Sequence, residues 1–134
     1  MKKLFILFLM STSVVVTVQA QDAIKHATST ASTTGFNVKS LTTSIMNKLV
    51  PALTITDDQK PGVTDAISGF LVQKSKILPL KQSDPPTYSK KQSSLFNTLK
   101  SKLGSVLTGN QFTKFLAMKP KKSDTSNALW NLFF

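Results

Sequence analysis

The chain has 134 residues, 40% of them hydrophobic, and a formal net charge of +11 at pH 7. That length supports one small domain and leaves no room for a multidomain enzyme or a large buried pocket. There is no cysteine, every basic residue is Lys and every acidic residue is Asp, which excludes disulfides, thiolate zinc sites, cysteine nucleophiles and arginine forks.

Met1, Lys2 and Lys3 precede an apolar run from Leu4 to Met10, continued by Val14, Val15, Val16 and Val18. Val18 and Ala20 place small residues at −3 and −1 before Gln21, which predicts a signal peptide over residues 1–20, cleaved after Ala20. Ser11, Thr12 and Ser13 interrupt the run, which is short for a bilayer span of about 20 residues. A periplasmic or secreted protein is therefore expected. Without residues 1–20, 15 Lys face 6 Asp, a net charge of +9. Such a field attracts polyanions. The lysines are nevertheless spread along the chain, as on solvated helix faces, and the densest group, Lys119, Lys121 and Lys122, is the candidate anion contact. Specific nucleic-acid binding is not expected, because no Arg can fork to guanine and no aromatic–basic interleaving suits single strands.

Residues 21–36, rich in Ala, Ser and Thr, read as a flexible N-terminal tail. They hold the one histidine, His26, which alone makes neither a metal site nor a dependable base. Helical periodicity begins at Asn37, a suitable N-cap. Val38, Leu41, Ile45, Met46, Leu49 and Leu53 form one stripe, predicting a helix over 38–50 that Pro51 stops. Val63, Ala66, Ile67, Phe70, Leu71, Ile77 and Leu78 form a second stripe, ended by Pro79. Lys74 interrupts it, with its stem expected to snorkel along the face. Residues 80–89, with two prolines, read as an exposed connection. A third helix is predicted over 90–106, with Leu95, Phe96, Leu99, Leu103 and Val106 inward, and a fourth over 109–118, ended by Pro120. A charged hinge, Lys119 to Ser123, leads to an apolar C-terminal helix in the segment 119–134. Its Trp130 is expected to dock on Phe70, Leu95, Leu99 and Phe112. No strand pattern competes, so the fold class is all-α: a helical hairpin or small bundle of about four helices.

Leu107-Thr108-Gly109-Asn110-Gln111 has the form of a capping box. The Thr108 hydroxyl accepts the Gln111 N–H, and the Gln111 side chain reaches back to the Thr108 N–H; Leu107 and Phe112 stand at the positions of a hydrophobic staple. The pattern occurs 52 residues earlier as Ile55-Thr56-Asp57-Asp58-Gln59. There Asp57 and Asp58 would fall on the first helical positions, favoured by the helix dipole. Pro61 disturbs this copy and suggests a separate turn, with the helix restarting at Pro61. The capping residues are thus Thr56, Gln59, Thr108 and Gln111, and residues 37–118 read as two helix–turn–helix units.

These two turns, in a small, basic, cysteine-free helical chain with an export signal, resemble the LTxxQ-motif family of small periplasmic helical proteins of the Spy/CpxP type. Residues 107–111 match the motif in full, and residues 55–59 match it with Ile for Leu. The resemblance implies helical hairpins that pair into a thin curved dimer, acting as ATP-independent chaperones or stress-signalling inhibitors. This chain departs from the family in lacking Arg and Glu, in its shorter predicted helices and in its apolar C-terminal segment.

No enzyme is expected. Asp57 and Asp58, the one acidic pair, would point about 100° apart on a helix, which does not make a paired acid and base. No cofactor and no metal is expected either. Short apolar faces predict leftover apolar surface, for which Ile67, Phe70, Phe112, Phe115, Trp130 and Phe134 are the candidate client or partner residues. Three functions stay open: a periplasmic chaperone or envelope-stress binder of unfolded or envelope proteins, a lysine-rich protein of anionic membrane surfaces, and a structural or adaptor module in which Trp130 and Phe134 close the core. A homodimer is compatible with each.

Overall fold

The computed structural model describes residues 36–134; the predicted signal peptide, His26 and the rest of the predicted tail before Phe36 lie outside them. Among the described residues the chain forms helices and no strand: α1 (Val38–Leu53), α2 (Lys60–Ile77), α3 (Leu80–Ser83), α4 (Pro85–Val106), α5 (Gly109–Ala117) and α6 (Trp130–Phe133). The fold is an all-α small bundle of four main helices, α1, α2, α4 and α5, as the periodicity predicts. No helix among the described residues is long and apolar enough to cross a membrane.

Each helix end has a local cause. The Asn37 side chain accepts from Ser40 N at 2.9 Å and starts α1. Pro51 does not stop that helix, contrary to the expectation from sequence; α1 runs through it to Leu53. Proline omits one backbone bond, and Pro51 lies on the exposed face, where solvent can replace what is lost. The stop is instead Thr54, in the left-handed region at φ 52°, with the Ile55 N–H donating back to Val50 O at 3.0 Å. Asp57 and Asp58 lie in a turn rather than on helical positions, and α2 starts at Lys60 with Pro61 in its first turn.

The expected exposed connection over 80–89 is also corrected. Leu80–Ser83 forms one helical turn, and α4 begins at Pro85, not at residue 90. Asp84 caps it, accepting from Thr87 N at 3.2 Å, and both prolines occupy the first helical positions, where no intrahelical N–H is needed. The hydrogen bond from Thr87 holds the Asp84 carboxyl below the usual carboxylate range.

α2 and α4 run antiparallel and approach so closely at one end that a Cβ on Gly62 would stand 3.0 Å from Val106 Cγ2. Ile45, Leu49 and Leu53 of α1, Val63, Ile67 and Leu71 of α2, Leu99 and Leu103 of α4 and Phe115 of α5 are all buried in one core. Phe36, placed in the predicted tail, also packs against it. Among the described residues Leu116 is the exposed large hydrophobic, at 39%, while Phe112, Trp130, Phe133 and Phe134 are half-buried at the surface of the core.

The segment 119–134 folds back onto this core. Its backbone is tightened by three-residue turns: Trp130 N donates to Asn127 O, Asn131 N to Ala128 O and Leu132 N to Leu129 O. In that geometry residues i and i+3 share a face. Leu129 and Leu132 are therefore the buried pair, whereas an α-helical spacing of four would have paired Leu129 with Phe133 and Trp130 with Phe134. Phe133 meets Phe96 at 5.2 Å and Phe115 at 5.5 Å between ring centroids. Trp130 stays half-buried beside Phe134, at 5.6 Å, and its indole N–H donates to Lys122 O at 2.9 Å. The expected docking of Trp130 on Phe70, Leu95, Leu99 and Phe112 is thus replaced by docking through Leu129, Leu132 and Phe133.

Candidate functional site

The two repeated turns lie against each other. Gln111 makes the full capping box: its N–H donates to Thr108 Oγ1 at 3.3 Å and its Oε1 accepts from Thr108 N at 2.9 Å. Gln59 makes half of one, its Oε1 accepting from Thr56 N at 3.1 Å, while the Gln59 N–H goes to the Thr56 carbonyl instead. Neither glutamine stops there. Gln59 Nε2 donates to Gln111 Oε1 at 2.9 Å, and Gln111 Nε2 donates to Gln59 Oε1 at 3.0 Å. Each amide also donates to the backbone of the other turn: Gln59 to Val106 O at 3.0 Å, and Gln111 to Leu53 O and Thr54 O at 3.2 and 3.1 Å.

This clasp follows the 52-residue offset of the two turns. Thr54 corresponds to Val106, Ile55 to Leu107, Thr56 to Thr108 and Gln59 to Gln111. Ile55 and Leu107 are both buried. The expected cap at Thr56 is not formed, since α2 is entered through Gln59 with no side-chain cap bond; the turn chemistry starts a helix at Thr108 and, through the two glutamines, joins the two halves of the chain. The cross-link was not readable from the spacing, which accounts for each cap separately.

The candidate partner residues separate into two groups. Ile67, Phe70 and Phe115 are buried in the core and present no surface to a client; Phe112, Trp130 and Phe134 are half-buried. Lys119, Lys121 and Lys122 are exposed, with the Lys119 ammonium 5.0 Å from the Phe134 ring centroid. Fourteen lysines and five aspartates lie among the described residues, and the ion pair there is Lys60–Asp57, at 2.6 Å. That pairing holds the Asp57 carboxyl below its ordinary range. No group of three or more His, Asp or Glu that could hold a metal occurs among the described residues.

Lys74 is the residue that departs most from its expected role. It does not snorkel. It is 1% exposed, and its ammonium donates to Asn131 O at 2.7 Å, between the rings of Phe70 and Trp130 at 6.0 and 5.9 Å. Burial, with the nearby Lys81 charge adding to it, pushes its pKa down to about 8. Tyr88 OH donates to Phe134 O at 3.3 Å and Gln92 Nε2 to Leu132 O at 3.5 Å, so with Lys74 three side chains from α2 and α4 hold backbone oxygens of residues 131–134. Burial pushes the Tyr88 hydroxyl up. Tyr88 and Gln92 continue the Leu95, Leu99 and Leu103 stripe at helical spacing, the signal by which sequence reading could have found them.

No family model, curated protein or solved structure matches this chain.

Proposed function

We propose that this chain is an exported, non-enzymatic helical adaptor that presents a lysine-rich surface to an anionic partner of the cell envelope. The observation that carries this reading is charge without counter-charge: fourteen lysines against five aspartates, with Lys60–Asp57 as the ion pair among the described residues. Unpaired surface lysines create a field that steers anionic partners and weakens with salt. The buried core supports the same reading, because Leu129 and Leu132 of the C-terminal segment are part of it. Export is supported by the residue pattern of positions 1–20. Co-sedimentation with phosphatidylglycerol vesicles is the test. Binding at low salt that falls steeply at high salt, and is absent for phosphatidylcholine vesicles, supports the adaptor; equal binding to both vesicle types argues against it.

A second reading, an ATP-independent holder of unfolded proteins as in the LTxxQ family, is favoured by one observation: the two turns meet and exchange their glutamine amides. An aggregation-suppression assay without ATP separates the two. The adaptor leaves a model client aggregating at its own rate, whereas the holder slows it at substoichiometric amounts.

A further inference from the structure

Trp130 and Phe134 lie against each other at 5.6 Å between ring centroids, and both rings are half-buried rather than sealed in the interior. Two lysines from separate elements flank this pair. The Lys81 ammonium, from α3, stands 5.3 Å from the Trp130 centroid, and the Lys119 ammonium, from the segment after α5, stands 5.0 Å from the Phe134 centroid. Both lysines are exposed. Lys100 over Phe96, at 5.4 Å, is a single cation on a ring. Among the described residues, two exposed lysines bracket a contacting pair of half-buried rings at Trp130 and Phe134 alone.

The charge at this end is uncompensated. Asp84 and Asp124 are the carboxylates nearest to the two lysines in sequence, and each is engaged elsewhere. Asp84 accepts from Thr87 N at 3.2 Å, and Asp124 accepts from Ser126 Oγ at 3.1 Å and Asn127 Nδ2 at 3.3 Å. Neither forms an ion pair with a lysine. The Trp130 indole N–H is satisfied within the chain, by Lys122 O at 2.9 Å. The ring can therefore exchange water for an apolar medium without stranding a buried donor.

We infer that Trp130, Phe134, Lys81 and Lys119 form the face by which the protein lies on an anionic lipid surface, with the rings at headgroup level and the ammoniums on lipid phosphates. Tryptophan favours that level, and lysine, a point charge on a flexible stem, suits phosphates of no fixed geometry. Each lysine close to such a surface strengthens binding by about fivefold. The inference rests on the adaptor reading; it narrows the partner to a bilayer and the contact to one end of the molecule.

Trp130 is the one tryptophan, so its emission reports this face directly. The test titrates the protein with phosphatidylglycerol vesicles carrying brominated acyl chains, at low salt, and measures affinity in parallel by co-sedimentation. Trp130 emission is expected to shift blue and to be quenched by the bromines. Lys81→Gln/Lys119→Gln should lower affinity by about tenfold or more. Lys102→Gln/Lys114→Gln removes the same charge from exposed positions on α4 and α5 and should lower it by about twofold. Circular dichroism of both variants should match that of the parent. Equal losses in the two double variants, or binding that leaves Trp130 unquenched, would overturn this face while the adaptor reading stands. Tight binding of inorganic polyphosphate that depends on Lys81 and Lys119, with Trp130 unquenched by vesicles, would assign the face to a soluble polyanion and overturn the lipid surface. Absence of any binding to phosphatidylglycerol would overturn both readings.

Discussion

Gln59 and Gln111 each serve two turns at once, and that sharing has a thermodynamic signature. Removing either amide strips a cap bond from its own turn and unpairs carbonyls of the other, at a cost of about 1–3 kcal/mol per buried group left unsatisfied. Because each truncation already destroys the mutual pair, the double variant should lose less than the sum. Gln59→Ala, Gln111→Ala and the double variant, compared by urea unfolding, are expected to show a coupling of about 1 kcal/mol. Additivity within about 0.5 kcal/mol would mean two independent caps. A second residue-scale consequence concerns Lys74, whose pKa falls from its ordinary 10.5 to about 8 on folding. Below pH 8 the ammonium is charged in both states and its burial penalty is fully present. Between pH 8 and 10.5 the unfolded chain binds the extra proton, so stability rises with pH across that window, by an amount on the order of 3 kcal/mol if the shift is fully expressed. Tyr88 opposes this from about pH 10, since its raised pKa makes the folded state the one that keeps its proton. Melting temperature should therefore climb from pH 8 to 10, and the climb should vanish in Lys74→Met.

At the scale of the helix, the ends show where local rules hold and where they yield. Asn37, Asp84 and Thr108 cap by side-chain oxygens, as their types and spacing imply. Thr54 does not follow its type. A β-branched residue at positive φ is strained, by roughly 1–2 kcal/mol, and it stays there because Gln111 Nε2 takes its carbonyl and that of Leu53. Thr54→Gly is expected to relieve this and to raise stability by about 0.5–1 kcal/mol net of the glycine's greater unfolded-state entropy. Gly62, in the α2–α4 seam, and Gly104, on the exposed face of α4, should respond oppositely. Gly104 has open space around a would-be Cβ, so Gly104→Ala should stabilise by about 1 kcal/mol; Gly62→Ala forces Val106 aside and should gain nothing or lose. Thermal unfolding of the three single variants checks all of this.

For the whole molecule, the decisive element is the segment 119–134. Leu132 is fully buried and Leu129 nearly so, which makes α6 part of the one core rather than an appendage on a hinge. Leu132→Ala should cost about 2–5 kcal/mol. In the unsubstituted protein, Trp130 fluorescence and helical circular dichroism should report the same urea midpoint; a tryptophan transition well before the helical one would mean that α6 docks and releases independently.

The helices and most of their inward faces were legible in the sequence because both are local or periodic properties. Leu49, Ile67, Leu99 and Leu103 repeat at helical spacing, and a spacing of that kind has one way to be buried. The capping box at Thr108 was legible for the same reason: its donors and acceptors lie within four residues. Three things waited for the tertiary structure. Pro51 reads as a stop, but only the exposure of its face let α1 continue to Leu53. The segment 119–134 reads as an α-helical stripe, but packing against Phe96 and Phe115 drew it into three-residue turns that bury Leu129 and Leu132. The glutamine clasp and the Lys74 bond to Asn131 O join residues 52 and 57 positions apart. Spacing within a segment specifies what an element can bury or cap; which distant backbone a side chain meets is set only when the elements pack.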